Sequence, residues 1–535
     1  MKTIYRGNII TMDDSNLTAE ALLVEDGLVR FAGSLAEARA LAPEAELRDL
    51  GGATVLPGFI DPHTHPILAG MALGFECPLV SGESMADYLA ILRAYVADHP
   101  GRSFYKGSGW KLRDVPPTAA MLDEIVPDVP VLLSSADGHS LWMNSAAMAL
   151  NGITREKAAE LGPDLIVVDE TGAPTGWVRE SVAFAALTSC VPGPEELAQA
   201  LLIWQNFAFS QGLTAVGDAA AEQVVPLYVA LQQQGLWKLR TYGVVQIDES
   251  APDPAPAVAM ARATADAVNA EYFSILGIKV FMDGSLSAHT ALLAEDYADR
   301  PGYRGYERTS AARLAAVTAA AAAQGFSVHV HACADGSVRN ALDGFAQAAA
   351  GADTAPMRNT VAHCSLIRPE DLPRFAGMGV VPLLAPLWLD QNSIPTFDYK
   401  CQILGREGAL RTEPLKSVAA TGAPLCFHSD FPLSDKFNIP ASLYAAELQR
   451  MPWEDAATAP FRPSDGIDRL TALKALTVNP AFQMHQEQRF GALKPGMLAN
   501  FVVWDRDLLR CPAEELPAAR LLLTVVDGTP VYAAD

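Results

Sequence analysis

Short apolar runs broken by tight turns occupy both ends of the 535-residue chain, and longer alternating patterns fill its middle. At the start, residues 3–10, 21–24 and 28–32 read as strands, with Glu25-Asp26-Gly27 as a hairpin turn because Asp-Gly accepts the positive φ such turns need. At the end, Phe501-Val502-Val503-Trp504, Leu521–Val526 and Val531-Tyr532 read the same way, the last two joined through Asp527-Gly528-Thr529-Pro530. Neither group could bury a sheet face alone, so the pattern predicts one small β-sandwich domain made from residues 1–57 and 487–535.

Between the ends, β-branched runs alternate with Ala- and Leu-rich helical stretches, the pattern of a parallel sheet with crossover helices. Eight strands are predicted, at 53–61, 214–219, 239–246, 275–283, 326–331, Thr360–His363, 380–384 and 424–430. Eight units without a G-x-G-x-x-G or G-x-x-x-x-G-K-[ST] turn favour a closed (β/α)8 TIM barrel, at 58–486, over an open doubly wound sheet. Roughly 150 residues separate the first two strands, far beyond the ~15 that a structureless loop spans in a compact domain. That stretch has strand-like and helical pieces of its own, so an α/β subdomain is expected at about 67–200, placed after a strand as a lid over the C-terminal face of the barrel.

Composition and charge narrow the picture. Half the residues are hydrophobic and 19% charged, ample material for a core. A formal charge of −23, from 39 basic and 62 acidic residues, argues against nucleic acid or an anionic membrane as partner and suits a small-molecule substrate. No apolar signal region precedes Asp13 and Asp14, and no apolar run reaches about 18 residues, so a cytoplasmic location is expected. A homodimer is the assembly considered. The seven cysteines are scattered without a C-x-x-C pair, which points away from both a disulfide framework and a Cys-bound zinc.

The chemistry lies in where the histidines fall. Of ten, His63, His65, His331 and His363 stand at or just past the ends of predicted strands, and Lys279 and Asp430 stand at two more. Strand ends of a barrel converge on one face, so these six become neighbours. His63 and His65, two apart on an extended segment, point the same way and can share one ion, and His331 and His363 add neutral nitrogens that zinc favours. His329 lies one layer deeper, as a core histidine expected to be satisfied by a carboxylate; Cys333 and Cys364 read as packing. Asp430 can both ligate and carry a proton. For Lys279, a buried cation that needs a partner, three readings compete: an ion pair with Asp283, a Schiff-base amine, or a carbamylated lysine bridging two ions. The third explains most, since it removes a positive charge from among four histidines and adds a ligand.

The strings L-P-G-F-I-D-P-H-T-H (56–65), D-G-H-S-L-W-M-N-S (137–145), G-I-K-V-F-M-D-G-S (277–285), H-A-C-A-D (331–335), the His363 strand, S-D (429–430), T-V-N-P-A (477–481) and G-A-L-K-P-G-M-L-A-N-F-V-V-W-D (491–505) together resemble the amidohydrolase superfamily. Within it they are similar to the YtcJ-like branch that includes N-substituted formamide deformylases. The resemblance implies one or two divalent ions, usually zinc, one held by His63, His65 and Asp430 and a second by His331 and His363, with N6-carboxylated Lys279 between them. It implies catalytic roles for Asp430, Lys279 and His331. His139 and Asn144 match a segment facing the substrate pocket, with a turn and a helix cap as the alternatives; Trp110 reads equally as an aromatic wall or a core residue, and Asp283 is counted with the substrate-facing group. The chain departs from the family pattern at His428, where glycine is commoner, and at Cys333-Ala334-Asp335, where Ile-Gly-Asp is usual. The activity implied is hydrolysis of an amide-type C–N bond by a metal-activated hydroxide. A lactone, ester or phosphoester hydrolase on the same site, or a non-catalytic metal-containing binding protein, are the alternatives, though no Arg cluster for phosphate is visible near the ligands.

Overall fold

The computed structural model describes residues 2–534 except 80, 113–114, 136–139, 223, 249–250, 269, 393–395, 435 and 456, and except the side chain at 184. The chain divides into two compact units, residues 1–66 with 205–535, and residues 67–204.

In the larger unit eight strands pair in sequence order, every pair parallel: β1 Phe59–Thr64, β2 Leu213–Asp218, β3 Arg240–Gln246, β4 Phe273–Phe281, β5 Ser327–Ala332, β6 Thr360–His363, β7 Val381–Leu384 and β8 Cys426–Phe427. Their residues are almost wholly buried, as strands covered on both faces must be. Helices follow β2 to β8 in turn, at Val225–Gln233, Ala255–Ala267, Ala311–Ala323, Asp335–Ala349, Leu372–Met378, Phe397–Leu410 and Ile439–Leu448. Three of them start on side-chain caps, Ser310 accepting from the Arg313 N–H (3.3 Å), Thr396 from the Tyr399 N–H (3.2 Å) and Asn438 from the Ala441 N–H (2.7 Å). The seam between β8 and β1 closes directly at the C-terminal ends, where Asp430 N–H donates to the His63 carbonyl (3.1 Å) and His65 N–H to that of Phe431 (3.0 Å). Lower down, Ala475 and Leu476 fill the seam, accepting from Phe427 (2.9 Å) and Ile60 (2.9 Å). This is the expected TIM barrel.

Both termini build a second, seven-stranded sheet, ordered Thr529–Ala533, Leu521–Val526, Phe501–Trp504, Glu46–Pro57, Lys2–Ile10, Thr18–Glu25 and Leu28–Gly33. It is one continuous sheet curled on itself, not two separate layers. Val29 N–H donates to the Met497 carbonyl (2.8 Å), and Tyr5, Ile9, Val55, Phe501, Val503 and Val525 fill the space enclosed. Both Asp-Gly turns have positive φ at both residues, 50° and 80° at Asp26-Gly27 and 50° and 71° at Asp527-Gly528. The strand anticipated at 53–61 is in fact two. Glu46–Pro57 belongs to this sheet and Phe59–Thr64 to the barrel, and the break falls at Gly58, where a Cβ would stand 2.2 Å from the Thr214 side chain.

The unit at 67–204 holds a six-stranded mixed sheet, ordered Ile166–Val168, Pro174–Arg179, Ser140–Met143, Val131–Ser135, Tyr105–Trp110 and Glu76–Pro78, with helices such as Met85–Asp98 packed against it. No helix among the described residues is long and apolar enough to cross a membrane.

Candidate metal centre

Register sets the inner wall of the barrel mouth: Lys279 pairs with His329, Phe281 with His331, and Ala332 with His363. Two residues here hold left-handed backbones that non-glycine residues rarely adopt, His363 (φ 79°) and Asp430 (φ 58°). Strain of this kind costs on the order of 1–3 kcal/mol and survives where the surroundings impose it. One such constraint is the buried Asp61 carboxylate on β1, which accepts from the backbone N–H groups of His63 (3.2 Å) and Ser429 (3.2 Å) and so ties β1 to the turn carrying Asp430.

The donor atoms of His63, His363 and Asp430 lie within 4.8 Å of one another, and all three residues are buried. Asp430 Oδ1 stands 3.2 Å from His63 Nε2 and 3.3 Å from His65 Nε2. His331 joins through its ring, 4.4 Å from that of His363 between centroids, while its Nε2 faces the Gly284 carbonyl (3.1 Å), Cys333 Sγ (3.5 Å) and Asp283 Oδ1 (3.6 Å). His331, Asp283 and Cys333 thus form a second compact group beside the first. Lys279 is buried, its ammonium 4.9 Å from the centre of the Phe281 ring.

Burial, aided by the field of the Lys279 ammonium, pushes the imidazolium forms of His63 and His329 well below their ordinary range and brings His331 down to about 4. Burial and the neighbouring His331 do the same to His363. These imidazoles are therefore neutral at pH 7, the state in which histidine can ligate. Burial works the other way on Asp430, but the neighbouring His363, His428 and His65 rings outweigh it and hold the carboxyl well below its ordinary value. A divalent cation fits this set on a simple observation: among the described residues His363 Nδ1 and Asp430 Oδ1 are buried without a hydrogen bond, the His63 and His65 nitrogens near Asp430 Oδ1 lacking bonding geometry. Native proteins avoid this unless something else meets those atoms.

A family model described as the amidohydrolase family matches residues 46–532. The chain belongs to the amidohydrolase family. The chain is 26% identical over 557 residues to the N-substituted formamide deformylase of Arthrobacter pascens, covering 99% of this chain and 98% of that one. It is also 26% identical over 554 residues to YtcJ of Bacillus subtilis (strain 168), covering 99% of each. Its fold matches that of a metal-dependent hydrolase from Pyrococcus furiosus with a TM-score of 0.78 at 24% identity, covering 95% of this chain and all of the other.

Within this amidohydrolase the residues expected to face substrate fare differently. His139 lies outside the described residues. Asn144 does not offer a substrate contact, because it is wholly buried in the 67–204 unit with its amide fully engaged: Oδ1 accepts from Val131 (2.9 Å) and Ala147 (2.9 Å), and Nδ2 donates to Val126 (2.7 Å) and Val129 (2.9 Å). It is the helix cap that the sequence left open as an alternative. Trp110 is likewise a core residue, 1% exposed, with Nε1 donating to the Leu133 carbonyl (2.7 Å) and Trp142 and Trp177 edge-on to it. Asp283 spends its carboxylate on the loop and helix after β5. Its Oδ2 accepts from the Leu292 and Ala334 N–H groups and the Ser337 hydroxyl, and its Oδ1 accepts from the Cys333 N–H while facing His331 Nε2 at 3.6 Å. Nor is His329 satisfied by a carboxylate as expected; its Nε2 meets His63 Nδ1 at 2.7 Å. Two contributors are not singled out by the sequence pattern: Asp61, which stands within the 56–65 string without an assigned role, and Trp388, whose indole stacks on His363 at 5.3 Å and 9°.

Proposed function

We propose that this amidohydrolase cleaves an amide-type C–N bond of a small molecule, an N-substituted formamide or N-acyl amine, with one or two divalent ions of the zinc type. His63, His65, His363 and Asp430 would hold an ion in the first group, and His331, with an N6-carboxylated Lys279, would serve a second. The observation that carries the reading is the convergence of three buried donors within 4.8 Å, two of them with orphaned atoms. A bound ion there acidifies water and polarises an acyl oxygen.

The protein's own groups then have defined tasks. Asp430, held ionised among imidazoles, accepts a proton at the carboxylate oxygen that the ion leaves free and returns it to the departing nitrogen, which leaves poorly as an unprotonated amide anion. Trp388 and Phe281 wall the site with apolar surface, stacked on His363 and set beside His331, which strengthens electrostatic interactions by excluding water. The full-length similarity to a formamide deformylase supports the amide class.

Asp430→Asn tests the assignment: turnover should fall by about 10²–10⁴-fold while metal analysis of the folded variant still finds bound ion. Wild-type activity in that variant would refute the proton-carrying role. Screening the metal-loaded enzyme on formamides, N-acyl amino acids, cyclic imides, lactones and phosphotriesters identifies the bond class, and turnover confined to the last two would replace the amide reading.

A further inference from the structure

We infer that His428 is an additional nitrogen ligand of the ion held by His63, His363 and Asp430, at a position where the family pattern more commonly has glycine. The inference rests on the metal reading above and extends it to a residue that the shared pattern does not supply.

His428 follows β8 and is fixed by its backbone N–H, which donates to the Leu384 carbonyl of β7 (3.1 Å). The residue is 5% exposed, yet among the described residues neither Nδ1 nor Nε2 has a hydrogen-bond partner. A buried imidazole with both nitrogens idle is an expense that folding avoids, unless a ligand meets one of them. The orphaned atoms of His363 and Asp430 belong to the same patch, so three residues of one cluster share one deficit. The His428 centroid is 5.3 Å from that of His63 and 5.1 Å from that of His363, and those two are 4.9 Å apart. The three rings therefore form a nearly equilateral triangle. Imidazoles that share one ion through bonds of ~2.0–2.1 Å at angles of about 110° have centroids about 5 Å apart, a spacing that an ion of higher coordination number also allows for some of its ligands. Trp388 stands edge-on to His428 at 5.5 Å and face-on to His363, bracing both rings. Beside His63, His65, His363 and Asp430, a further imidazole adds a donor without cancelling charge on the ion, leaving it a stronger electrophile than a second carboxylate would.

The test uses full-length protein stripped with a chelator and titrated with Zn(II) and with Co(II), as wild type, His428→Phe and His428→Ala. Phenylalanine keeps a ring against Trp388 and His363 but has no nitrogen. Both variants should bind the first ion at least about tenfold more weakly, since even the loss of an outer-shell partner costs 10–100-fold, and the Co(II) visible bands should shift. Equal affinity with an unchanged Co(II) spectrum in His428→Phe overturns the inference, and so does a loss confined to His428→Ala, which would mark the ring as packing. Should His428→Phe not fold, the Co(II) spectrum of His428→Ala decides alone. A wild type that binds neither ion sinks the metal reading itself, whereas a wild type that binds beside indifferent variants sinks only the role of His428.

Discussion

His63 has two neighbours and one proton to share between them. Its Nδ1 meets His329 Nε2 at 2.7 Å and its Nε2 meets Asp430 Oδ1 at 3.2 Å. Turning the Nε2 lone pair toward a cation requires the proton on Nδ1, so His329 must accept it, and the deeper histidine thereby sets tautomer and ring orientation. The ligand types were legible because strand ends announce themselves, as at His63 and Asp430. The partner of His329 was not, since 266 residues separate the pair and only closure of the barrel brings them together. A second buried group beside the site makes a pH prediction. Glu413 is 1% exposed with Oε2 unpartnered, and burial, only partly offset by the nearby Lys400, raises its carboxyl to about 7. A raised carboxyl contributes stability that is complete below its unfolded value and is lost as pH rises through the folded one. Relative to Glu413→Gln, which does not titrate, the wild type should lose on the order of 3 kcal/mol between about pH 5 and 8. Denaturant melts across that range check it, and a pH-independent difference would contradict the assignment.

At the scale of elements, the helix-strand alternation of the barrel was readable because buried parallel strands are continuous apolar runs, as in Leu213–Asp218, whose six residues are all buried. The misreading at 53–61 has the same cause. Residues 53–57 and 59–64 are equally buried either side of Gly58, the apolar run carries on through Phe59-Ile60, and nothing local says that it feeds two sheets. Asn144 shows the converse, a polar residue in a family-like string whose task is local. Its Oδ1 caps the Ser145–Leu150 helix while its amide spans Val126, Val129 and Val131. Asn144→Ala removes the cap and strands three backbone groups, so the cost should be about 2–4 kcal/mol. Hydrogen exchange at 126–151 should accelerate, while KM and metal content stay at wild-type values. A raised KM with unchanged exchange would return Asn144 to the substrate pocket.

Over the whole molecule, the last hairpin of the terminal sheet is tied to the start of β3 by a single buried cation. Arg240 is fully buried and grips Asp527 through one nitrogen at 2.8 and 2.7 Å from the two carboxylate oxygens, across 287 residues of sequence. Tyr272 closes the cluster, its hydroxyl donating to the same carboxylate (2.8 Å) and its ring lying 4.8 Å from the guanidinium carbon. The Asp-Gly turn at 527–528 was visible in the sequence as a hairpin, but its second task was not, because no local pattern encodes a partner on a distant strand. Desolvating the guanidinium is costly, and the Asp527 carboxylate is its closest compensation, with the Glu271 carbonyl (3.2 Å) and the more exposed Glu271 carboxylate (3.5 Å) adding less, so the energetics are asymmetric. Asp527→Ala leaves the buried guanidinium with only the longer ion pair to the largely exposed Glu271 carboxylate and should destabilise by about 3 kcal/mol, whereas removing both charges with Arg240→Met and Asp527→Leu should recover most of that loss. A double-mutant cycle from denaturant melts measures the difference. If the double variant is as unstable as Asp527→Ala, packing and not charge pairing joins the terminal sheet to the barrel.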